Sequence, residues 1–270
     1  MSGSKVVLIT GASSGIGKAC AEYLARRGYR VYGTSRRASP EVGLVPAGFT
    51  LIRMDVRDDE SVAQGIRLIM EREGRLDVVV NNAGITMVGP IEDFTLDEAK
   101  SLFETNFWGA LRVCKVVLPV MREQHSGHII NISSIAGRAS AAYQGIYSAG
   151  KFALEGLSEA LRTEVRHFGI QVALIEPGDV PTSQPYNRIR TLRTQAYAPY
   201  YHNAMQVYET DEKNGYPPEK IGPLLERIIR NPNPRLRYTC GMFIQTLGAA
   251  LKNWVPYSFF EWAYAQVYKF

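Results

Sequence analysis

The most constraining stretch lies near the start of the chain. Val6-Val7-Leu8-Ile9 is a short, continuously apolar run. Such a run fits a parallel strand buried on both faces. It leads into Thr10-Gly11-Ala12-Ser13-Ser14-Gly15-Ile16-Gly17. Lys18 to Arg27 then reads as a helix, with Ala19, Ala21, Tyr23, Leu24 and Ala25 as apolar contacts and Gly28 as its stop. Each glycine has a task in this strand-loop-helix unit. Gly11 permits the tight turn out of the strand, Gly15 lets backbone approach a pyrophosphate, and Gly17 lets the helix pack close to the sheet. The helix N-terminus, with Ser13, Ser14 and Ile16 around it, offers amide hydrogens and partial positive charge to phosphates. The spacing is G-x3-G-x-G, which differs from the G-x-G-x-x-G dinucleotide fingerprint.

The pattern repeats along the chain. Strands are expected at Arg30 to Thr34, Phe49 to Met54, Asp77 to Val80, His128 to Ile132 and Gln171 to Ile175. Helices are expected at Asp58 to Glu73, Leu96 to about Arg122 and about Tyr143 to His167. Strands alternating with helices through short loops predict an α/β fold, a doubly wound parallel sheet of Rossmann type with helices on both faces. Ligands bind such sheets beyond the carboxyl ends of the strands. After Val180 the rhythm breaks. Thr182 to Tyr216 reads as a lid with one or two short helices, Lys220 to Arg230 as a helix, and Arg235 to Cys240 as an edge or final strand. The expected organisation is one domain over 1–270. Residues 1–182 form the core, 183–234 the substrate lid, and 235–270 a final strand and helical aromatic C-terminal extension.

Charge and cysteine usage narrow the function classes. The net charge of +5 can help attract an anionic cofactor, yet no dense Lys/Arg block points to nucleic acid. Cys20, Cys114 and Cys240 are too scattered for a disulfide framework or a metal cluster, and read as reduced thiols of a cytoplasmic protein. His125, His128, His167 and His202 show no metal spacing. Neither a signal peptide nor an apolar run long enough to span a membrane is read.

Chemistry-bearing residues cluster at the strand ends. Ser35-Arg36-Arg37 stands where an NAD site usually has a carboxylate for the ribose hydroxyls. A guanidinium there pairs with a 2′-phosphate, which predicts NADP(H). Asp55-Val56 after the third strand could serve the adenine, with Asp58 better placed to cap the next helix. Asn82-Ala83-Gly84 makes a small, flat turn where a nicotinamide ribose could approach. Asn106, followed closely by Gly109, sits inside a long helix and suggests a local kink with a purpose. Tyr147 and Lys151 are four residues apart, one above the other on a helix face. A phenol has an ordinary pKa of about 10, and an adjacent ammonium lowers it. Ser134 lies at the end of the preceding strand, from which its hydroxyl and the phenol can converge on one carbonyl oxygen.

Taken together, TGASSGIG, DV, NNAG, the helical Asn, the Ser-Tyr-Lys spacing and Pro177-Gly178 resemble the short-chain dehydrogenase/reductase family over residues 5 to 182. Gly150 departs from the serine common in the family's Y-x-x-S-K, and could allow another backbone to approach. The resemblance implies that Tyr147 is the general acid/base, that Lys151 lowers its pKa and holds the nicotinamide ribose, and that Ser134 polarises the carbonyl. It implies that Asn106 binds a water in a proton relay. It also implies that Pro177, Gly178, Val180 and Thr182 flank the nicotinamide, and that the chain forms a homodimer or homotetramer through its two long helices.

The expected function is an NADP(H)-dependent oxidoreductase, a carbonyl reductase interconverting a ketone or aldehyde and an alcohol. An NADPH-binding sensor without turnover is the alternative. Tyr186, Tyr197, Tyr200, Tyr201, Met205 and Tyr208 in the lid, with Ile135, Ala136 and Tyr143, suit a bulky apolar small molecule. Family analogy with the 17β-hydroxysteroid dehydrogenase-like group implies a steroid, retinoid or lipid. The aromatic end from Trp254 to Phe270 has three readings: packing on the sheet, a subunit or substrate contact, and peripheral contact with a membrane surface.

Overall fold

The computed structural model describes residues 4–39, 43–181, 188–252 and 254–269. In chain order it runs β1 (Val6–Ile9), α1 (Gly15–Arg26), β2 (Arg30–Ser35), β3 (Gly43–Leu44), β4 (Thr50–Arg53), α2 (Asp59–Glu73), β5 (Val78–Asn81) and β6 (Thr86–Val88). There follow α3 (Leu96–Phe103), α4 (Gly109–Glu123), β7 (Gly127–Ile132), α5 (Gly145–Val165), β8 (Ile170–Pro177) and β9 (Arg188–Arg190). The last elements are α6 (Ala198–Lys213), α7 (Ile221–Arg230), β10 (Arg237–Cys240), α8 (Phe243–Leu251) and α9 (Tyr257–Tyr268).

The main sheet has eight strands in the order β10-β8-β7-β5-β1-β2-β4-β3. Every pair is parallel except β3 with β4. This is the Rossmann-type sheet that the sequence predicts. The all-apolar β1 is explained by burial on both faces. Val6 and Leu8 join one core with α2, α4 and α5, while Val7 and Ile9 join another with α1 and α7. The chain winds outward in both directions from β1, so the ends of β1 and β5 form the switch point where such sheets bind ligands.

Local chemistry sets the helix boundaries. Asp58 caps α2 by accepting from Ser61 N–H at 2.6 Å, and Gly74 closes it in the left-handed region. The long helix expected from Leu96 to about Arg122 is interrupted. A π turn over Glu104–Trp108 separates α3 from α4, and Asn106 sits within it, so the helix is locally irregular where the sequence suggested a kink. Gly150 on α5 faces the Leu102 side chain, where a Cβ would lie 2.8 Å from Cδ2. The close approach is therefore that of a side chain, where the sequence suggested backbone.

The second half differs more from expectation. β6 and β9 form a separate two-stranded parallel sheet that the sequence reading did not contain. Among the described residues, the stretch expected to hold one or two short helices carries the 16-residue helix α6. α9 packs against α6, and Phe260 and Tyr268 are buried. The aromatic end thus rests partly on the lid helix, where packing on the sheet was one expectation. Phe243, Ile244, Trp254, Tyr257, Phe259 and Trp262 remain exposed. No helix among the described residues is long and apolar enough to cross a membrane. All three cysteines are buried free thiols, each pushed up to about 12 chiefly by burial.

Candidate active site

A cleft opens across the carboxyl ends of the strands. The glycine loop forms one wall, with Gly11, Ser13, Ser14, Gly15 and Ile16 lining it. Gly11 and Gly15 have φ of +68° and +53°, a region that favours glycine. A Cβ on Gly17 would lie 2.6 Å from the Gly11 carbonyl oxygen, so Gly17 serves the loop from behind. Ser14 occupies the N-cap of α1 without using its side chain as a cap, and no acidic residue lies in the first turn. α2, by contrast, has Asp58, Asp59 and Glu60 at its start. The α1 N-terminus is thus left without a neutralising carboxylate, a cradle that fits phosphate.

Two loops are locked together beneath this cradle. Thr10 Oγ1 accepts from the N–H groups of Asn82 and Ala83, both at 2.9 Å. The Asn82 amide donates back to the carbonyls of Thr10 and Gly11 at 2.8 and 3.2 Å. Asn82, Ala83 and Gly84 all border the cleft, but the Asn82 side chain works on the glycine loop.

At the β2 end, Ser35, Arg36 and Arg37 line the cleft, and Ser35 Oγ accepts from Arg37 N–H at 3.2 Å. Asp55 and Val56 line it too, joined by Arg57, which the sequence reading missed. Arg57 grips Asp55 with Nε at 3.1 Å and Nη2 at 2.8 Å. These bonds hold the Asp55 carboxyl below its ordinary range. Arg57 therefore adds a third guanidinium to this end.

At the other end stand Ser134, Tyr147 and Lys151. A buried polar chain holds α5 to the sheet: Asn81 Nδ2 donates to Asn131, Asn131 Nδ2 to Ser158, and Ser158 Oγ to Leu154 O. Ser134 Oγ accepts from Ala136 N–H at 3.1 Å and donates to Pro177 O at 3.4 Å, and it lines the cleft beside the Tyr147 phenol. Lys151 Nζ donates to Ile132 O at 2.8 Å and lies 5.7 Å from the Tyr147 ring centroid.

The electrostatics correct the sequence expectation for the phenol. Burial pushes Tyr147 above its ordinary value, with the Asp179 carboxylate adding to the rise and Ser134 and Arg188 opposing it. The Lys151 ammonium is turned to a carbonyl, and burial lowers Lys151 to about 8 despite the nearby Glu155 carboxylate. Asn106 lies buried within the π turn between α3 and α4. Its side chain spans Ile85, accepting from the N–H and donating to the carbonyl, both at 2.8 Å.

Pro177, Gly178 and Val180 border the cleft, whereas Thr182 and Tyr186 lie outside the described residues. Among the described residues, the aromatic lining expected from the lid does not border the cleft. Tyr201 and Met205 are buried with Val88, Ala204 and Tyr268, and Tyr143 and Tyr208 pack on the same cluster. Tyr208 donates to Ala142 O at 2.6 Å. The cleft beside Tyr147 is bordered instead by Gln144, Asp179, Arg188 and Glu212. Asp179 sits between two residues the sequence did single out. Arg188 and Glu212 carried no sequence signal, because the β6-β9 sheet and α6 bring them in.

Residues 5–190 match the family model described as short chain dehydrogenase. The chain is 42% identical over 262 residues to the 3-ketodihydrosphingosine reductase of Bacteroides thetaiotaomicron, covering 96% of each chain. It is 34% identical over 252 residues to retinol dehydrogenase 8 of Bos taurus, covering 86% of this chain and 80% of the relative. The crystal structure of a short-chain dehydrogenase from Streptomyces avermitilis superposes with a TM-score of 0.80 at 35% identity, covering 94% of this chain and 97% of that one.

Proposed function

The chain belongs to the short-chain dehydrogenase family, and from that premise we propose that it interconverts a lipid-like ketone and its alcohol with NADP(H). The observation that carries the reading is the grouping of Ser134, Tyr147 and Lys151 in one cleft with the uncapped α1 N-terminus. NADPH, when bound, supplies a hydride to the carbonyl carbon. The Tyr147 phenol gives its proton to the carbonyl oxygen, and Ser134 steadies the charge developing there. A phenol raised by burial is protonated at neutral pH, which suits it to act as the acid in reduction. Lys151 would hold the nicotinamide ribose, and Asn106 would fix the loop at Ile85. Gly11 to Gly17 would hold the pyrophosphate, and Pro177, Gly178, Val180 and Thr182 the nicotinamide. Among bulky apolar classes, a long-chain lipid ketone is favoured, because the relative matched over 96% of both chains is named for reducing 3-ketodihydrosphingosine.

NADP(H) rests on Arg36, Arg37 and Arg57 standing where Ser35 replaces a carboxylate. Charge-assisted hydrogen bonds contribute about 1.5–3 kcal/mol each. Replacing Arg36 and Arg37 together by alanine is expected to raise the Kd for NADPH roughly 10²- to 10⁴-fold, with NADH far less affected. Fluorescence titration reads both, and an unchanged ratio would remove the arginine argument.

The pH profile follows from Lys151. The ammonium is charged below its pKa of about 8 and is lost as pH rises through it. Because kcat/KM reports the free enzyme, kcat/KM for NADPH should be level near pH 7 and fall through about pH 8. A profile still level a full unit above that would contradict the ribose-holding role of Lys151.

A further inference from the structure

The substrate end of the cleft is charged, and this constrains what stands beside the reacting carbonyl. Asp179 lines the cleft together with Tyr147, Gln144, Arg188 and Glu212. Its backbone is fixed on both sides: its N–H donates to Gln245 Oε1 at 3.2 Å, and its carbonyl accepts from Tyr216 N–H at 2.8 Å. Its Oδ2 accepts from Gln245 Nε2 at 2.6 Å. Gln245 is neutral, so this bond aims the carboxylate without cancelling its charge.

The neighbouring charges leave Asp179 in surplus. Asp211 and Glu212 act on it as like charges and Arg188 as an opposite one. Arg188 is already committed to Glu212 at 2.7 Å. Three carboxylates thus share one paired guanidinium among the described residues. Burial, with those carboxylates adding, pushes Asp179 up to about 6, as expected of a charge lacking a counterion. Asp179 and the Tyr147 phenol line the same cleft, and the carboxylate raises the phenol. A substrate that is hydrocarbon beside its carbonyl would desolvate this carboxylate with nothing in return. An ammonium there would form a charge-assisted bond.

Resting on the carbonyl-reductase reading above, we propose that Asp179 binds a protonated amine next to the reacting carbonyl, so that the substrate class is a long-chain amino ketone. Reduction then runs as already described, with hydride to the carbonyl carbon and the Tyr147 proton to the oxygen. The amine is bound and undergoes no chemistry.

The test compares 3-ketodihydrosphingosine with 1-hydroxyoctadecan-3-one, which has the same chain and ketone but no amine. NADPH consumption is followed with the full-length wild type and with Asp179→Asn. Asparagine keeps an oxygen to accept from Gln245 and removes the charge. The wild type is expected to favour the amino ketone at least about tenfold in kcat/KM. Asp179→Asn is expected to reduce that ratio about 10- to 100-fold, mainly through KM, the range for a lost charge-assisted bond. General structural damage would lower both substrates and leave the ratio intact, so an unchanged ratio overturns the proposal. Turnover of both ketones by the wild type without preference overturns it too, with the carbonyl-reductase reading standing. Turnover of neither sinks that reading and the proposal with it.

Discussion

Replacing Tyr147 by phenylalanine is expected to lower kcat for ketone reduction by about 10²- to 10⁴-fold, the usual contribution of a positioned acid. The change removes one oxygen from a residue on α5, which the Asn81-Asn131-Ser158 chain holds to the sheet. Folding and NADPH binding should therefore survive, as thermal melting and fluorescence titration would report. Ser134 keeps its bond from Ala136 and would still reach the substrate oxygen on the proposed mechanism, but it has no comparable route for delivering a proton. Loss of less than about tenfold would mean that another group, or water, supplies the proton.

Replacing Arg237 by alanine should produce the largest stability effect. Arg237 on β10 lies 3.0 Å from Glu155 and 3.1 Å from Glu176, and it also pairs with Glu159. Glu176 is fully buried, and Glu155 is 5% exposed. Removing one partner of a buried ion pair costs about 3–5 kcal/mol. For a chain of this size that lowers Tm by roughly 10 °C. Burial raises the Glu155 pKa, and Arg237 opposes the rise. A carboxyl with a raised folded-state pKa stabilises the fold at low pH and loses that contribution as pH climbs through the pKa. Without Arg237 the pKa rises further, so the deficit should be largest near pH 7.5 and smaller near pH 5. Calorimetry at both values checks this, and a deficit that grows on acidification would contradict it.

Legibility in the sequence followed the locality of the physics. β1 and the glycine loop could be read directly because a doubly buried strand must be apolar and Gly11 and Gly15 need positive φ. Asp58 as a helix cap and the interruption at Asn106 were equally local. Parts set by distant contacts were not legible. β6 and β9 are three residues each, too short to show periodicity, and they pair across about a hundred residues. Their pairing brings Arg188 to the cleft, and α6 brings Glu212. The lid tyrosines were visible, but composition could not show that they face α9 and one another. The Tyr147-Lys151 spacing was right, while the pKa direction depended on burial and on Ile132 O capturing the ammonium, neither of which a spacing contains.

On the proposed function, this cleft reduces a lipid-like ketone with NADPH. The most direct measurement follows NADPH absorbance with a panel of long-chain ketones, retinal and a ketosteroid, with NADH in parallel. The account predicts stoichiometric conversion of a long-chain ketone to its alcohol with NADPH, at least about tenfold faster than with NADH at subsaturating cofactor. Tight NADPH binding without turnover of any carbonyl, or a preference for NADH, would contradict it.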